Sequence, residues 1–210
     1  MIVKRAVILA GSIFLLGAVY STQAQEGDEL PPLESDWTGP MPTQYSKGDK
    51  ILTLGAGTVF PAVFFDNKGN TYTHNIFAVG GMGFGGYSYF LSPHWFIGGE
   101  LSGMFIGTLN KNSFLFMVPF GLLGGYQFVF GRFEFPLSLM LGMVAQQYLE
   151  RGHFSWLFLK PSASVFWRFN PDWSFGVNAA WWWVPEWPED AAKSRYGNFI
   201  ELSLSARFHF

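Results

Sequence analysis

The end of the chain carries the most restrictive pattern in the sequence. In residues 199–210, FIELSLSARFHF, apolar and polar side chains alternate without a slip. Successive side chains of a β-strand point to opposite faces, so the segment predicts a strand with one apolar and one polar face. The apolar face carries Ile200, Leu202, Leu204, Ala206, Phe208 and Phe210, and the polar face carries Glu201, Ser203, Ser205, Arg207 and His209. Such a strand suits a sheet that has lipid on one side and a polar lumen on the other.

The same kind of apolar segment recurs from residue 50 onward, and the breaks between segments fall into two classes. Three breaks are tight and four are longer and more polar, so seven breaks separate eight strands. The tight breaks are Ser92–His94, Gly131–Arg132 and Asn170–Asp172, and the longer breaks are Asp66–Thr71, Thr108–Ser113, Leu149–His153 and Glu186–Gly197. Short turns at one end and longer loops at the other are typical of outer-membrane barrels. Residues 50–210 are therefore predicted to form an all-β, eight-stranded, antiparallel up-and-down transmembrane barrel.

The composition agrees with a membrane barrel. Aromatic residues make up 20% of the chain and charged residues only 13%, whereas soluble domains carry about 25% charged residues. The net charge of -2 gives no reason to expect a nucleic-acid partner. Tyrosines, tryptophans and phenylalanines cluster at the predicted strand ends, as expected for aromatic girdles at two membrane interfaces. The expected location is therefore the outer membrane of a bacterium, with outer-membrane lipid as the surrounding partner.

The first residues have the three parts of a secretory signal peptide. Lys4 and Arg5 supply a positive start, Ala6–Val19 is an apolar stretch, and Thr22–Ala24 offers small residues for cleavage. The apolar stretch is too short for a transmembrane helix. Residues 1–24 are therefore predicted to be removed.

The next segment, residues 25–49, differs from the rest of the chain. It contains four prolines together with a group of acidic residues, Glu26, Asp28, Glu29, Glu34 and Asp36. Such a composition predicts a flexible periplasmic leader, with a plug or a partner-binding arm as the alternative. The chain has no cysteine, which excludes both disulfides and a lipoprotein with a lipid-modified cysteine at the cleavage site.

The C-terminal residues also carry a family resemblance. Leu204, Ala206, Phe208 and the terminal Phe210 resemble the assembly signal of outer-membrane proteins, which implies the outer-membrane assembly machinery as a partner. In size and plan the predicted barrel is similar to the small eight-stranded barrels of the OmpW and OprG kind and to eight-stranded barrels of spirochaetes. The resemblance implies passage of small hydrophobic molecules.

Two features oppose the barrel prediction. Pro61, Pro119, Pro136 and Pro161 fall inside predicted strands, where each removes a hydrogen-bond donor. The stretch Phe114–Gly131 is almost entirely apolar, so a helical membrane protein is the alternative, although its proline and glycines disfavour a helix.

Six charged residues fall on the predicted inward faces. Three acids and three bases in a narrow lumen predict internal ion pairs, because an unpaired buried charge is costly. They are Glu100, Glu134 and Glu201 with Lys160, Arg168 and Arg207. Strand positions place Glu134, Arg168 and Arg207 near the tight turns and Lys160 near Glu100 and Glu201. A lined pathway is the alternative interpretation.

The run Trp181-Trp182-Trp183-Val184-Pro185-Glu186-Trp187 is the most distinctive local feature. It predicts either part of the aromatic girdle or an apolar patch at the outer mouth, with Trp182 pointing inward. Four scattered histidines and no cysteine give no metal-ligand spacing, and no cofactor motif is present.

Three functions remain open on the sequence. The first is a narrow or lateral conduit for small hydrophobic molecules, and the second is a non-conducting structural or surface-interaction barrel with a salt-bridged core. The third is an outer-rim lipid hydrolase or acyltransferase, for which His74, His153, Ser155 and Glu150 are the candidate residues. The chain is not expected to be an enzyme, because no acid follows His153 and Ser155 before Asp172, at the opposite rim.

Overall fold

The computed structural model describes residues 45–66, 68–69, 71–72, 79–107, 114–148, 151–186 and 195–210. Within these ranges the backbone forms strands and turns, and no helix has the length and hydropathy needed to cross a membrane. The strands are β1 Lys50–Pro61, β2 Phe64–Asp66, β3 Thr71–Tyr72, β4 Gly80–Phe90, β5 Trp95–Gly107, β6 Phe114–Phe130, β7 Phe133–Tyr148, β8 Arg151–Arg168, β9 Trp173–Glu186 and β10 Arg195–His209.

Eight long strands close into an antiparallel barrel, as the sequence predicts. The order is β1, then β4 to β10, each paired with its neighbour in the chain. β10 pairs with β1 from Ile51↔His209 to Pro61↔Phe199, so the last strand closes onto the first. Eight strands leave an interior that side chains can fill. One end of the barrel, here called the short-turn end, has connections as tight as Gly131–Arg132, and the other is the long-loop end.

Alternation along β10 sets the two faces of the wall. Glu201, Ser203 and Ser205 are buried in the lumen, while Leu202 and Leu204 between them are exposed on the outside. The second and fourth barrel strands, β4 and β6, have glycine or apolar residues on both faces, so their sequences do not reveal which face points inward. In the structure the buried residues of β4 have even numbers, such as Met82 and Ser88, whereas those of β6 have odd numbers, such as Met117, Pro119 and Gln127.

The first long connection contains a hairpin that the sequence did not reveal. β2 and β3 pair with each other. β2 also pairs with the start of β10, at the long-loop end, through Arg195↔Asp66 and Tyr196↔Phe65. Asn198 fixes this arrangement, because its amide donates to the Val63 carbonyl at 2.8 Å. The ten-stranded sheet is therefore the barrel extended by a two-stranded flap.

One prediction about local structure is wrong, and one alternative is excluded. The break predicted at Leu149–His153 is shorter, because β8 already begins at Arg151, which pairs with Tyr148. The helical alternative for Phe114–Gly131 is excluded, because residues 114–130 form β6 and pair on both sides. The glycines of this segment lie in an extended backbone beside neighbouring strands. The same glycines would weaken a helix.

The prolines are accommodated without breaking the barrel. Pro61 is the last residue of β1 and needs no further ladder partner. Pro119, Pro136 and Pro161 lie inside β6, β7 and β8, and each still has a residue opposite it in a neighbouring strand. A proline removes only its own N–H, and the rest of a long ladder holds the strand in place.

Candidate functional site

The middle of the lumen contains a lysine between two carboxylates. Nζ of Lys160 lies 2.7 Å from Oε1 of Glu100 and 2.8 Å from Oε2 of Glu201, and the three side chains are almost fully buried. β5, β8 and β10 supply one residue each, so the cluster, here called the central tier, spans the barrel. Buried charges that are both paired and hydrogen-bonded avoid most of the cost of an isolated buried ion.

Neighbouring groups complete the hydrogen bonding of the central tier. The Ser102 hydroxyl donates to Glu100 at 2.7 Å, and the Ser203 hydroxyl donates to Glu201 at 2.8 Å. The Trp182 indole also donates to Glu201, at 2.7 Å. The Lys160 ammonium lies over the ring of Trp182 at 5.2 Å from its centroid, which adds a cation–π contact. The tier is therefore fixed in one arrangement.

A second ionic cluster, the lower tier, lies near the short-turn end. Glu134 pairs with Arg168 at 3.1 Å and with Arg207 at 3.6 Å. Gln127 donates to Glu134 at 3.0 Å and accepts from Arg207 at 3.3 Å. The guanidinium of Arg207 lies 3.7 Å from the centroid of the Phe166 ring, so it is held by stacking as well as by charge.

A serine and a histidine meet beside the lower tier. Nε2 of His209 lies 2.5 Å from the Ser174 hydroxyl, and Nδ1 of His209 accepts from Arg168 at 3.0 Å. With Nδ1 accepting, the proton sits on Nε2 and is donated to Ser174. A nucleophilic serine needs the opposite polarity, in which the histidine nitrogen takes the serine proton and a carboxylate orients the ring. This pair is therefore suited to holding the tier and unsuited to acyl transfer.

A small polar cavity of about 40 Å³ separates the two tiers. Its wall includes charged groups of both tiers, namely Lys160, Glu100, Glu201 and Arg207. Phe84, Phe96 and Leu123 supply an apolar part of the wall. Hydroxyl and amide groups supply the rest of its polar part: Thr53, Ser88, Ser138, Ser162, Ser164 and Asn178. A water molecule needs about 10–15 Å³ of such space, so the cavity is large enough for a few waters.

The half of the lumen towards the long loops is mainly apolar, with Gln146 and Ser155 as buried polar residues. Its buried cluster consists of Val59, Met82, Met104, Ile106, Leu115, Met117, Met140, Val144, Phe158, Ala180, Trp182, Val184 and Phe199. Phe64 from the flap packs edge-on against Phe199, with ring centroids 5.5 Å apart. This apolar layer, together with the two tiers, fills the cross-section of the barrel with side chains.

The tryptophan run is divided between the two faces of β9. Trp182 points into the lumen and is fully buried, where it joins the apolar layer to Glu201. Trp181 is 46% exposed on the outside, and its indole donates to Asn198 at 3.0 Å. Trp183 stacks against Tyr196. Trp187 lies outside the described residues.

The residues proposed for rim chemistry do not form a described site. His74 and Glu150 lie outside the described residues, as does the side chain of His153. Ser155 is 6% exposed and faces the lumen. A bulge brings this about, because Gly142 and Val144 on β7 pair with Phe158 and Ser155 on β8, so β8 carries one extra residue. Among the described residues, no group of His, Asp or Glu is placed to hold a metal ion.

The C-terminal residues of the proposed assembly signal form an outward ridge. Leu204 is 69% exposed and Phe210 is 57% exposed. Phe208 contacts Trp173 at 5.1 Å and Phe210 at 5.8 Å between ring centroids, which places it in the aromatic belt around the short-turn end. The ridge lies on the outer face of the barrel wall, where Ala206 and Phe208 are partly exposed.

The structure brings together all six charged residues that the sequence proposed, in two clusters of three. It also adds residues that sequence reasoning did not include in the site: Tyr45, Gln127, Ser174 and His209. His209 lies on the polar face of the alternating strand, so its period-two position was a usable signal. Tyr45 precedes the first strand and offered no periodic signal.

Comparison with known proteins places this architecture in a family. A protein-family model matches residues 34–208, which include every described strand except the last residue of β10. The chain belongs to that family. The match assigns the chain to the family without assigning an activity.

Two similar sequences come from spirochaetes. An uncharacterized protein of Treponema pallidum (strain Nichols) is 28% identical over 216 residues, covering 98% of this chain and 98% of the relative. An uncharacterized protein of Borreliella burgdorferi (strain B31) is 27% identical over 163 residues, covering 68% of this chain and 75% of the relative.

Two solved structures share the fold. Neisserial surface protein A aligns with a TM-score of 0.55 and 13% identity, covering 78% of this chain and 97% of that protein. The outer membrane protein OprG from Pseudomonas aeruginosa aligns with a TM-score of 0.53 and 12% identity, covering 80% of this chain and 98% of that protein. At these identities the likeness shows the fold alone, that of small outer-membrane barrels, and it leaves membership of the OmpW and OprG family as an expectation.

Proposed function

We propose that this protein is an integral outer-membrane barrel whose lumen does not conduct ions and whose role is structural or exercised at its surface. The observation that carries the proposal is the filled interior. Lys160 bridges two carboxylates across the middle, and an apolar layer lies between that tier and the long loops. An ion that passed along the axis would have to displace both.

The membrane location is supported by the outer face of the wall. Large apolar side chains such as Leu122, Leu202 and Leu204 are exposed there without a polar partner, an arrangement that is stable only against lipid. Aromatic rings surround the short-turn end, where interfaces favour them. Lipid and, through the ridge that ends at Phe210, the outer-membrane assembly machinery are therefore the proposed partners.

The test of the closed lumen is single-channel conductance of the refolded protein in a planar bilayer. We expect no discrete openings from the native protein. Lys160→Ala and Arg168→Ala remove one base from the central and lower tiers respectively, and they serve as matched variants. Discrete openings of the native protein that change in conductance in these variants would contradict the proposal, because the lumen would then be a path lined by its charges.

A hydrophobic conduit is the second candidate, and the apolar layer favours it. Lumens of outer-membrane barrels are usually polar, whereas this one holds four buried methionines, Met82, Met104, Met117 and Met140. Methionine is flexible and polarizable, and is common at binding surfaces that accept varied apolar ligands. A ligand that entered among these side chains would meet the charged central tier below and would have to leave sideways through the wall.

Methionine methyl resonances distinguish the two candidates. The refolded protein, labelled with ¹³C at the methionine methyl groups, is titrated with toluene as a small apolar probe. Saturable shifts at the four buried methionines would support the conduit. Met143, which is only partly buried, on the opposite face of β7, reports toluene that merely dissolves in the surrounding detergent. Shifts confined to Met143 would leave the closed structural barrel as the function.

A further inference from the structure

A tight turn before β1 directs a tyrosine back into the barrel. The backbone N–H of Ser46 donates to Oδ2 of Asp49 at 2.8 Å, and the N–H of Asp49 donates to the Ser46 carbonyl at 3.2 Å. Gly48 has a φ of 106°, a left-handed value that glycine adopts readily and other residues rarely do. The chain reverses here, so that Tyr45 is only 4% exposed at the short-turn end.

The inserted ring fits a pocket formed by the barrel. Tyr45 stacks on Phe90 with the ring centroids 4.1 Å apart and the planes 4° from parallel. Its hydroxyl accepts a hydrogen bond from Arg168 at 3.0 Å and lies 3.3 Å from Nδ1 of His209. Burial, reinforced by the nearby carboxylate of Glu134, raises the pKa of Tyr45 above its usual range, so the hydroxyl stays neutral. The ring thus covers the lower tier on the side of the short-turn end.

Beyond the tier that Tyr45 covers lies the polar cavity. Arg207 belongs to both, because it pairs with Glu134 and also lines the cavity. Its Nε atom is buried and has no hydrogen-bond partner among the described residues. A buried donor without a partner is costly, which points to water on the cavity side of Arg207. Phe96 also belongs to both places, because it packs against Phe90 of the Tyr45 pocket with ring centroids 5.6 Å apart and lines the cavity. The side chains of Arg207 and Phe96 therefore stand between the Tyr45 pocket and the cavity.

The far end of the cavity is closed in a different way. Lys160 and its two carboxylates form the roof, and the apolar layer lies above them. The walls carry serine and threonine hydroxyls beside the rings of Phe84 and Phe96, and the two acids and two bases that line the cavity sum to zero charge. Such a space favours small uncharged polar molecules over ions of either sign.

We propose that Tyr45 is a releasable stopper of a polar chamber, which admits water and small uncharged polar molecules from the short-turn end and passes nothing to the other side. The stopper segment Tyr45–Asp49 is held by one side-chain pocket and a few backbone hydrogen bonds, among them Gly48 N–H to the Phe90 carbonyl at 2.9 Å. Short segments outside the main ladders open locally at low free energy, while the barrel stays folded.

The test uses the absence of cysteine from the chain. Ser88→Cys places a single thiol on the cavity wall, at a residue that is 8% exposed. A small, uncharged, water-soluble methanethiosulfonate reagent is added to the refolded protein in detergent, and the labelling rate is measured by mass spectrometry. We expect slow labelling with Tyr45 present and labelling roughly tenfold faster or more in Tyr45→Ala, because a locally closed site reacts only when it opens. Tyr45→Phe keeps the stacked ring and is expected to stay slow.

A second variant opens the turn without touching the lumen. A side-chain carbon at Gly48 would meet no atom within 4 Å, so Gly48→Val disfavours only the left-handed backbone. It should also accelerate labelling of Ser88→Cys, and Lys47→Cys, an exposed position, gives the rate of an open thiol. Equal labelling rates of Ser88→Cys in the otherwise native, Tyr45→Ala and Gly48→Val proteins would overturn the proposal. A rate in the otherwise native protein equal to that of Lys47→Cys would overturn it as well. The chamber is closed above, so this outcome is independent of the conductance test.

Discussion

Side chains fill both halves of the lumen, but they are mainly polar in one half and mainly apolar in the other. Towards the short turns the interior is filled mainly by ion pairs and hydroxyls around Lys160 and Glu134, with a small apolar cluster around Phe90 at the end. Towards the long loops it is filled mainly by methionine and aromatic side chains. Both halves belong to the same strands, so the change of chemistry occurs along each strand. Closure of an eight-stranded barrel therefore requires a filled interior and leaves its polarity free.

The halves differ in what holds them. Close packing of apolar side chains stabilises the half towards the long loops through dispersion and exclusion of water. This packing tolerates exchange of one apolar group for another of similar volume. Charged groups in the half towards the short turns have lost their hydration, so their partners must be present and correctly placed. The stability of the half towards the short turns should consequently be the more sensitive to removal of a single group.

The largest effect is expected for Lys160→Met. The variant leaves Glu100 and Glu201 buried without their shared cation, and breaking a buried ion pair in this way costs about 3–5 kcal/mol. The free energy of unfolding, measured by urea titration in lipid vesicles, should fall by that amount. The triple variant Lys160→Met, Glu100→Gln, Glu201→Gln removes all three charges and should recover most of the loss. A single variant as stable as the native protein would show that the tier does not depend on its charges.

In the apolar half, Met104→Ala is expected to cost about 2–5 kcal/mol, because it removes buried methylene groups and leaves a cavity. Met104 is fully buried in the apolar layer. Met104→Leu keeps the volume and should cost less than about 1.5 kcal/mol. The same unfolding titration measures both variants. A loss for leucine as large as that for alanine would contradict the view that this half is held by volume alone.

The contrast between the halves also explains how much the sequence could reveal. Strict alternation in β10 predicted its faces, and the count of breaks predicted eight strands, because period and turn chemistry are local properties. The faces of β4 and β6 were not predictable, since glycine and apolar residues on both sides erase the period. The bulge that turns both Ser155 and Phe158 inward depends on the neighbouring strand, so it leaves no mark in β8 itself.

The candidate site was predictable to the same extent. Charged residues at alternating positions could be assigned to the lumen, and their strand positions indicated the levels at which they meet. Tyr45 could not be assigned, because its contact with Arg168 spans 123 residues and depends on a turn at Gly48 that lies before the barrel. Long-range contacts from a segment without periodicity require the folded structure.

A substitution on the shared outer wall provides a reference for both halves. Leu204 lies midway along the outward-facing side of β10 and is 69% exposed. An arginine at the bilayer midplane costs about 2–4 kcal/mol, and one near the interface costs about 0–1 kcal/mol. Leu204→Arg should therefore destabilise the protein in vesicles far more than Phe210→Arg at the rim. Equal effects of the two changes would contradict the proposed position of the membrane.

The smallest effect should come from Ser174→Ala, and it bears on how the lower tier is organised. The change removes the hydroxyl that receives the Nε2 proton of His209, and a typical buried hydrogen bond contributes about 1 kcal/mol to stability. His209 keeps its contact with Arg168 through Nδ1, so the ion pair between Arg168 and Glu134 should survive. Retention of that pair can be followed by the Arg168 side-chain resonances. A loss near about 3 kcal/mol, as expected for a broken ion pair, would instead mean that the serine fixes the tautomer of His209 and that the lower tier collapses without it.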